Sequence, residues 1–118
     1  MNKIYFAFLI LIIFSCSRTE VPFGFNGECV SGITYTENVE EIINNSCAYV
    51  GCHLNNEAPG NFDTFSGLSG AIDNGEFFSR AVVVRDMPPS SVPDDRPRFL
   101  TDNEIAIITC WAENDYPE

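Results

Sequence analysis

The chain has few basic residues and almost no histidine. Its 118 residues include one histidine and six lysines and arginines against seventeen aspartates and glutamates, for a net charge of −11. Nucleic-acid binding depends on lysine and arginine contacts with phosphates, so this composition argues against a nucleic-acid partner and favours a basic one. A zinc site built from histidine and cysteine needs four ligands, so a chain with a single histidine is poorly suited to form such a site. The length suits one domain.

The sequence has no apolar run long enough to span a bilayer as a helix. The longest run, IYFAFLILIIF, has eleven residues and follows Lys3, which is the pattern of a signal peptide. It ends in IFSC, which resembles the lipobox of bacterial lipoproteins. That resemblance implies removal of residues 1–15, acylation of Cys16 and a periplasmic, outer-membrane or cell-surface lipoprotein. An ordinary secretory signal peptide is the alternative, and both predict export into a compartment that permits disulfides.

The hydrophobic pattern predicts an all-α domain of residues 33–118, preceded by a tether of residues 16–32 that has glycines but no periodicity. A first helix is predicted from an N-cap at Thr36, with apolar side chains at helical spacing, and it runs into Cys47. A second, short helix is predicted to be capped by Asp63.

The second half of the domain is predicted to hold one irregular segment and a terminal helix. The apolar stretch 76–84 can be helical or extended, because its end is β-branched. Residues 87–98 contain four prolines and cannot form regular structure. Thr101 and Glu104 then form a predicted capping box for a helix with an apolar stripe and Trp111 beside it. Loops of this length indicate that something other than side chains fills the core.

The stretch SCAYVGCHL places Cys47 four residues before Cys52, with His53 next to it. Two cysteines followed at once by histidine is the arrangement that attaches haem c: the thiols add to the porphyrin vinyl groups, and the imidazole supplies an axial nitrogen. The usual spacer is two residues. Five residues along a continuous helix turn about 500°, which leaves the two cysteines about 140° apart. The chain must therefore unwind between them, and Gly51 is the residue that permits it.

Other interpretations of the cysteine pair stay open at this point. The pair could contribute to a zinc site, although the other cysteines lack the short spacing that such sites show. Cys47 and Cys52 could also form a local disulfide, with His53 incidental. A thioredoxin-like redox pair needs a two-residue spacer and a βαβ setting, and neither is present.

Met87 is the only methionine besides the initiator, and it lies in the proline-rich stretch VRDMPPSSV. A methionine usually fills gaps in a core, but prolines preset the backbone of this loop and would hold the thioether in place. Thirty-three residues separate His53 from Met87, enough to pass from one haem face to the other. Iron with histidine and methionine ligands has both axial sites filled, which is typical of electron transfer.

Two stretches together resemble small monohaem cytochrome c domains of bacterial exported and lipid-anchored proteins, including the planctomycete-type domains. ITYTENVEEIINNSCAYVGCH resembles their opening helix and haem motif. DMPPSSVPDDRPRFLTDNEIAIITCWAEN resembles their Met-Pro-Pro loop and closing helix. The resemblance covers about residues 33–117 and implies an all-α cytochrome c-like fold, with N- and C-terminal helices packed around one haem c. The four-residue spacer and the tail WAENDYPE depart from the usual pattern.

The resemblance implies a role for each motif residue. Cys47 and Cys52 become the haem thioether sites, His53 the proximal axial ligand and Met87 the distal one. The implied function is that of a membrane-anchored electron carrier, without substrate turnover of its own, that passes single electrons between redox partner proteins. Two alternatives are a non-haem, disulfide-stapled lipoprotein with a binding or structural role and a haem enzyme or sensor with an open axial site.

This assignment leaves two cysteines without a role, Cys29 and Cys110, because Cys16 would be acylated and the two motif cysteines would be bonded to haem. We predict a disulfide between them, which encloses about eighty residues and contributes ~4–5 kcal/mol in the chain-entropy model. Trp111 is expected to pack where the terminal helices cross or against the haem.

Overall fold

The computed structural model describes Cys29 and residues 31–118. Helices hold 46% of these residues, and no strand occurs among them. The predicted signal peptide, Cys16 and most of the predicted tether lie outside the described residues. Within the described residues, no helix combines the length and the apolar character that a bilayer crossing requires.

Six helical elements follow one another in the described part of the chain. A π-helix, Tyr35–Val39, continues into α1, Glu40–Ser46, and after a long loop come α2, Phe65–Asp73, and α3, Glu76–Phe78. The latter continues into a second π-helix, Ser79–Val83, and the last element is α4, Asp102–Glu113. The proline-rich stretch between Val83 and α4 has no helix, as predicted.

Two of the predicted N-caps are wrong by one or two residues. The first helix is capped by Thr34, whose hydroxyl accepts from the Glu37 N–H at 3.2 Å, while Thr36 lies inside the first turn. Thr64 caps α2 in the same way, because the Asp63 carboxylate instead accepts from the Asn61 side-chain amide. In both cases the residue with extended backbone angles is the cap, as N-cap geometry requires.

The predicted capping box of α4 is confirmed. The Thr101 hydroxyl accepts from the Glu104 N–H, and the Glu104 carboxylate accepts from the Thr101 N–H. These reciprocal bonds satisfy two backbone N–H groups at the start of the helix. The stretch 76–84, for which helix and strand were both open, is helical as far as Val83.

The core lies where α4 packs against both π-helices. Trp111 is completely buried at this crossing, its ring 5.9 Å from Tyr35 and 6.2 Å from Phe77, and its indole N–H donates to the Pro117 carbonyl at 2.8 Å. Of the two positions expected for Trp111, the structure therefore shows the one at the helix crossing.

A disulfide joins Cys29 to Cys110 of α4, with the Cα atoms 5.2 Å apart, and so ties the start of the described chain to the last helix.

Candidate functional site

One cavity brings the four predicted haem-binding residues together. It has a volume of about 310 Å³, and Cys47, Cys52, His53 and Met87 all line it. The walls come from the end of α1, the following loop, α2, α3, the second π-helix and the proline-rich loop. Most of the remaining lining is apolar, namely Ala58, Pro59, Phe62, Ala71, Phe77, Ala81, Pro88 and Pro89. The cavity therefore offers two thiols, an imidazole and a thioether to one largely apolar space.

The first helix ends at the first cysteine of the motif. The N–H groups of Cys47 and Ala48 both donate to the Ile43 carbonyl at 2.8 Å, so the last turn widens and stops. The His53 N–H then donates back to the Cys47 carbonyl at 3.0 Å, which closes the motif into a compact loop. The unwinding that the four-residue spacer requires thus begins at Cys47 itself.

Gly51 supplies the left-handed backbone of this loop. Its φ is +92°, a region that residues with a Cβ rarely adopt, as expected for the residue that permits the unwinding. Its N–H donates to the Glu57 carboxylate, which fastens the motif loop to the segment after it. The contribution of Glu57 could not be found from the motif, because no recurring spacing marks it.

We expect Gly51→Ala to lower the free energy of unfolding by ~1–2 kcal/mol, the cost of a left-handed backbone for a residue with a Cβ. A Cβ at Gly51 meets nothing within 4 Å, so steric contact adds no cost. The matched control is Gly70→Ala, which is equally open but lies inside α2, where alanine should stabilise by ~0.5–1 kcal/mol. Urea unfolding of both variants measures the difference, and equal effects would contradict the role of Gly51.

The His53 ring is held on two sides. Its Nδ1 lies 2.8 Å from the Pro59 carbonyl, which can only accept, so Nδ1 carries the proton and Nε2 keeps its lone pair. The Phe62 ring stacks on the imidazole with centroids 4.1 Å apart and planes within 7°. The Phe62 N–H also donates to the His53 carbonyl at 2.8 Å. A hydrogen bond such as the one from Nδ1 to the Pro59 carbonyl, made by the ring nitrogen that does not ligate, is what orients metal-bound histidines in proteins.

The two motif cysteines are free thiols, so the structure does not have the local disulfide. Burial, followed by the neighbouring Cys52 and Glu104, raises the pKa of the Cys47 thiol to about 12. A thiol with this pKa is protonated at neutral pH, so it is a poor thiolate ligand for a metal ion and a poor redox-active thiolate. Nowhere from residue 31 onward, nor at Cys29, do three or more histidines, cysteines or carboxylates converge on one point. A zinc centre or a redox-active cysteine pair therefore has little support.

Met87 enters the cavity from a loop that leaves the second π-helix at Val83. Arg85 turns the chain with a left-handed φ of +58°, and Asp86 is tied back to Arg80. Met87 is partly buried and Pro88 is buried. A second cavity, of about 410 Å³, shares Met87 and Ala81 with the first, so Met87 lies between two spaces.

Two buried hydroxyls lie beside the cysteine pair, and sequence reasoning did not identify them. Ser46 is 2% exposed and lines the cavity, yet its Oγ has no hydrogen-bond partner in the described structure. The Tyr49 hydroxyl is also buried, and burial, followed by the Cys52 thiol beside it, raises the pKa of Tyr49. Arg96 covers the Tyr49 ring at 4.5 Å. Buried polar atoms normally have a partner, so the Ser46 hydroxyl is suited to a polar contact with a cavity occupant.

Neither the family models nor the curated proteins nor the solved structures compared with this chain gave a match. The resemblance to cytochrome c domains therefore rests on the two quoted stretches and on the residues that line the cavity.

Proposed function

We propose that this protein is a monohaem c-type cytochrome that carries single electrons between partner proteins. The observation that carries the proposal is the single cavity lined by Cys47, Cys52, His53 and Met87, which lie up to forty residues apart in the sequence. Covalent haem attachment and two-sided axial ligation need this set of groups: two thiols, one imidazole with a free nitrogen and one thioether.

The residues around the cavity fit the chemistry that haem c supplies, which is reversible one-electron transfer at iron. His53 is prepared to ligate through Nε2, because the Pro59 carbonyl takes the other ring proton. Met87 is the only thioether among the described residues, and thioether ligation favours the ferrous state. The lining around these groups is mostly apolar. Ligation by both His53 and Met87 would leave no iron position for a substrate.

The helical architecture is compatible with the proposed cytochrome c-like fold. The first helix and α4 pack against each other through Tyr35 and Trp111, as the family resemblance implies for terminal helices. The Cys29–Cys110 disulfide holds the segment before the first helix against α4.

We further propose that the protein is exported and held at a membrane by lipid on Cys16. The support is the IFSC stretch after a short apolar run. The partners are redox proteins, and the net charge of −11 favours ones that present a basic face. The carrier itself turns over no substrate.

Intact mass spectrometry of the protein from a host with haem c maturation machinery tests both attachments. We expect one haem and, as a separate increment, the acyl groups of a lipoprotein. Cys52→Ala should weaken or abolish the haem increment and keep the lipid, whereas Cys16→Ala should remove the lipid and keep the haem. Each variant thus controls for the other, since both lose one cysteine.

Wild-type protein without haem from such a host would overturn the electron-carrier proposal. The non-haem, disulfide-stapled lipoprotein would then be the better interpretation. Haem without lipid would leave the carrier proposal standing and favour an ordinary signal peptide.

A further inference from the structure

Asp86, the residue before Met87, makes two hydrogen bonds with Arg80. The Asp86 N–H donates to the Arg80 carbonyl at 3.1 Å, and the Arg80 Nε donates to the Asp86 carboxylate at 2.7 Å. Arg80 belongs to the second π-helix, so these bonds fasten the proline-rich loop to that helix at the position next to Met87.

Among the described residues, Arg80 is the only arginine or lysine in the cavity wall. Glu76, also in the wall, lies 4.0 Å from its guanidinium. The Arg80–Asp86 pair is partly exposed, with 41% and 44% of the side-chain surfaces accessible. Such a pair adds little to global stability, but it can hold a local segment in one place.

The chain on the two sides of Met87 is restrained by different means. Pro88 and Pro89 fix their own φ angles on the C-terminal side. On the N-terminal side Arg85 has a left-handed backbone, and its guanidinium donates to the Val82 carbonyl at 3.3 Å and lies 4.0 Å from the Asp102 carboxylate. The link to Arg80 is the restraint nearest to Met87, because it acts on the adjacent residue. Loss of that link would weaken the hold on the thioether from this side.

We propose that Arg80 is a positioning residue for Met87: through Asp86 it holds the proline-rich loop so that the thioether stays in the cavity. This inference rests on the proposed function, since it assigns Arg80 to the distal side of a haem iron. Arg80 itself contacts no reacting atom. Arg80 acts by increasing the fraction of time that the Met87 thioether is in the cavity.

The test compares Arg80→Gln with Arg98→Gln in the haem-loaded protein. The Arg98 guanidinium and the Asp94 carboxylate are also 2.7 Å apart, and Arg98→Gln removes the same charge as Arg80→Gln. Neither Arg98 nor Asp94 lines the cavity. Cyanide can bind ferric iron only when Met87 is displaced, so its association rate reports the open fraction. We expect at least twofold and up to about fivefold faster association in Arg80→Gln, fivefold being the upper end of what one exposed ion pair contributes, and less than twofold in Arg98→Gln. The far-red sulfur-to-iron charge-transfer band of the ferric protein should weaken only in Arg80→Gln.

Two further variants separate positioning from folding. Asp86→Asn should reproduce the faster cyanide association, and Arg80→Lys should restore part of the wild-type rate. Equal rates in Arg80→Gln and Arg98→Gln, with haem attached and the charge-transfer band present in wild type, would overturn the inference alone. Absence of haem, or of the band in wild type, would overturn the proposed ligation and the inference with it.

Discussion

Met87→Ala is expected to keep the covalent haem but to lower the reduction potential, by on the order of 100 mV within the ~0.8 V range that axial ligands span. The haem stays because the thioether bonds use Cys47 and Cys52. The potential falls because a thioether stabilises ferrous over ferric iron, and water does not. The open position should bind carbon monoxide or cyanide quickly. Redox titration and ligand-binding kinetics measure these effects.

Met87→His is the matched control for the open position. It should stay six-coordinate and bind cyanide slowly, yet its potential should also be lower than that of wild type, because imidazole favours ferric iron more than a thioether does. If wild type lacks the far-red charge-transfer band and Met87→Ala changes neither potential nor ligand binding, Met87 is not the ligand. A haem enzyme or sensor with an open axial site would then describe the protein better.

Trp111→Ala should lower the free energy of unfolding by ~3–5 kcal/mol, a large share of the stability of a domain this size. The side chain is fully buried and its removal leaves a cavity between α4 and the first helix. Four aromatic rings lose their central partner: Tyr35, Phe65, Phe77 and Tyr116. Urea unfolding with the Cys29–Cys110 disulfide intact is the measurement.

Two variants show which property of Trp111 matters. Trp111→Phe keeps an aromatic ring but loses the hydrogen bond to the Pro117 carbonyl, so an intermediate loss is expected. Phe99→Ala removes a large ring that is 72% exposed and should change the free energy of unfolding by less than ~0.5 kcal/mol. An effect of Trp111→Ala no larger than that of Phe99→Ala would show that the helix crossing does not depend on it.

The features that local sequence could predict are those with a local cause. The capping box of Thr101 and Glu104 needs only four residues, and the prolines after Met87 exclude a helix by themselves. The end of the first helix at the motif agrees with the expectation from counting, since cysteines five residues apart on a continuous helix would point about 140° apart, and Gly51 has the left-handed backbone expected of it. Where two possible N-cap residues lie within a few positions of each other, local sequence did not predict the right one. The extended backbone angles of Thr34 and Thr64 identify these two as the caps.

The sequence by itself thus determined that the domain is helical, where its irregular loops fall and which residues are candidates for binding haem. The tertiary structure decided what lies beside them: the Pro59 carbonyl on His53, Glu57 on the motif loop, and Arg80 next to Met87. It also decided that the stretch 76–84 is helical as far as Val83, since Phe77 and Ala81 are buried in the core and packing outweighs β-branched propensity. The physical reason is the distance along the chain over which each effect acts. Caps, prolines and glycines act on their sequence neighbours, whereas a cavity forms only where distant segments meet.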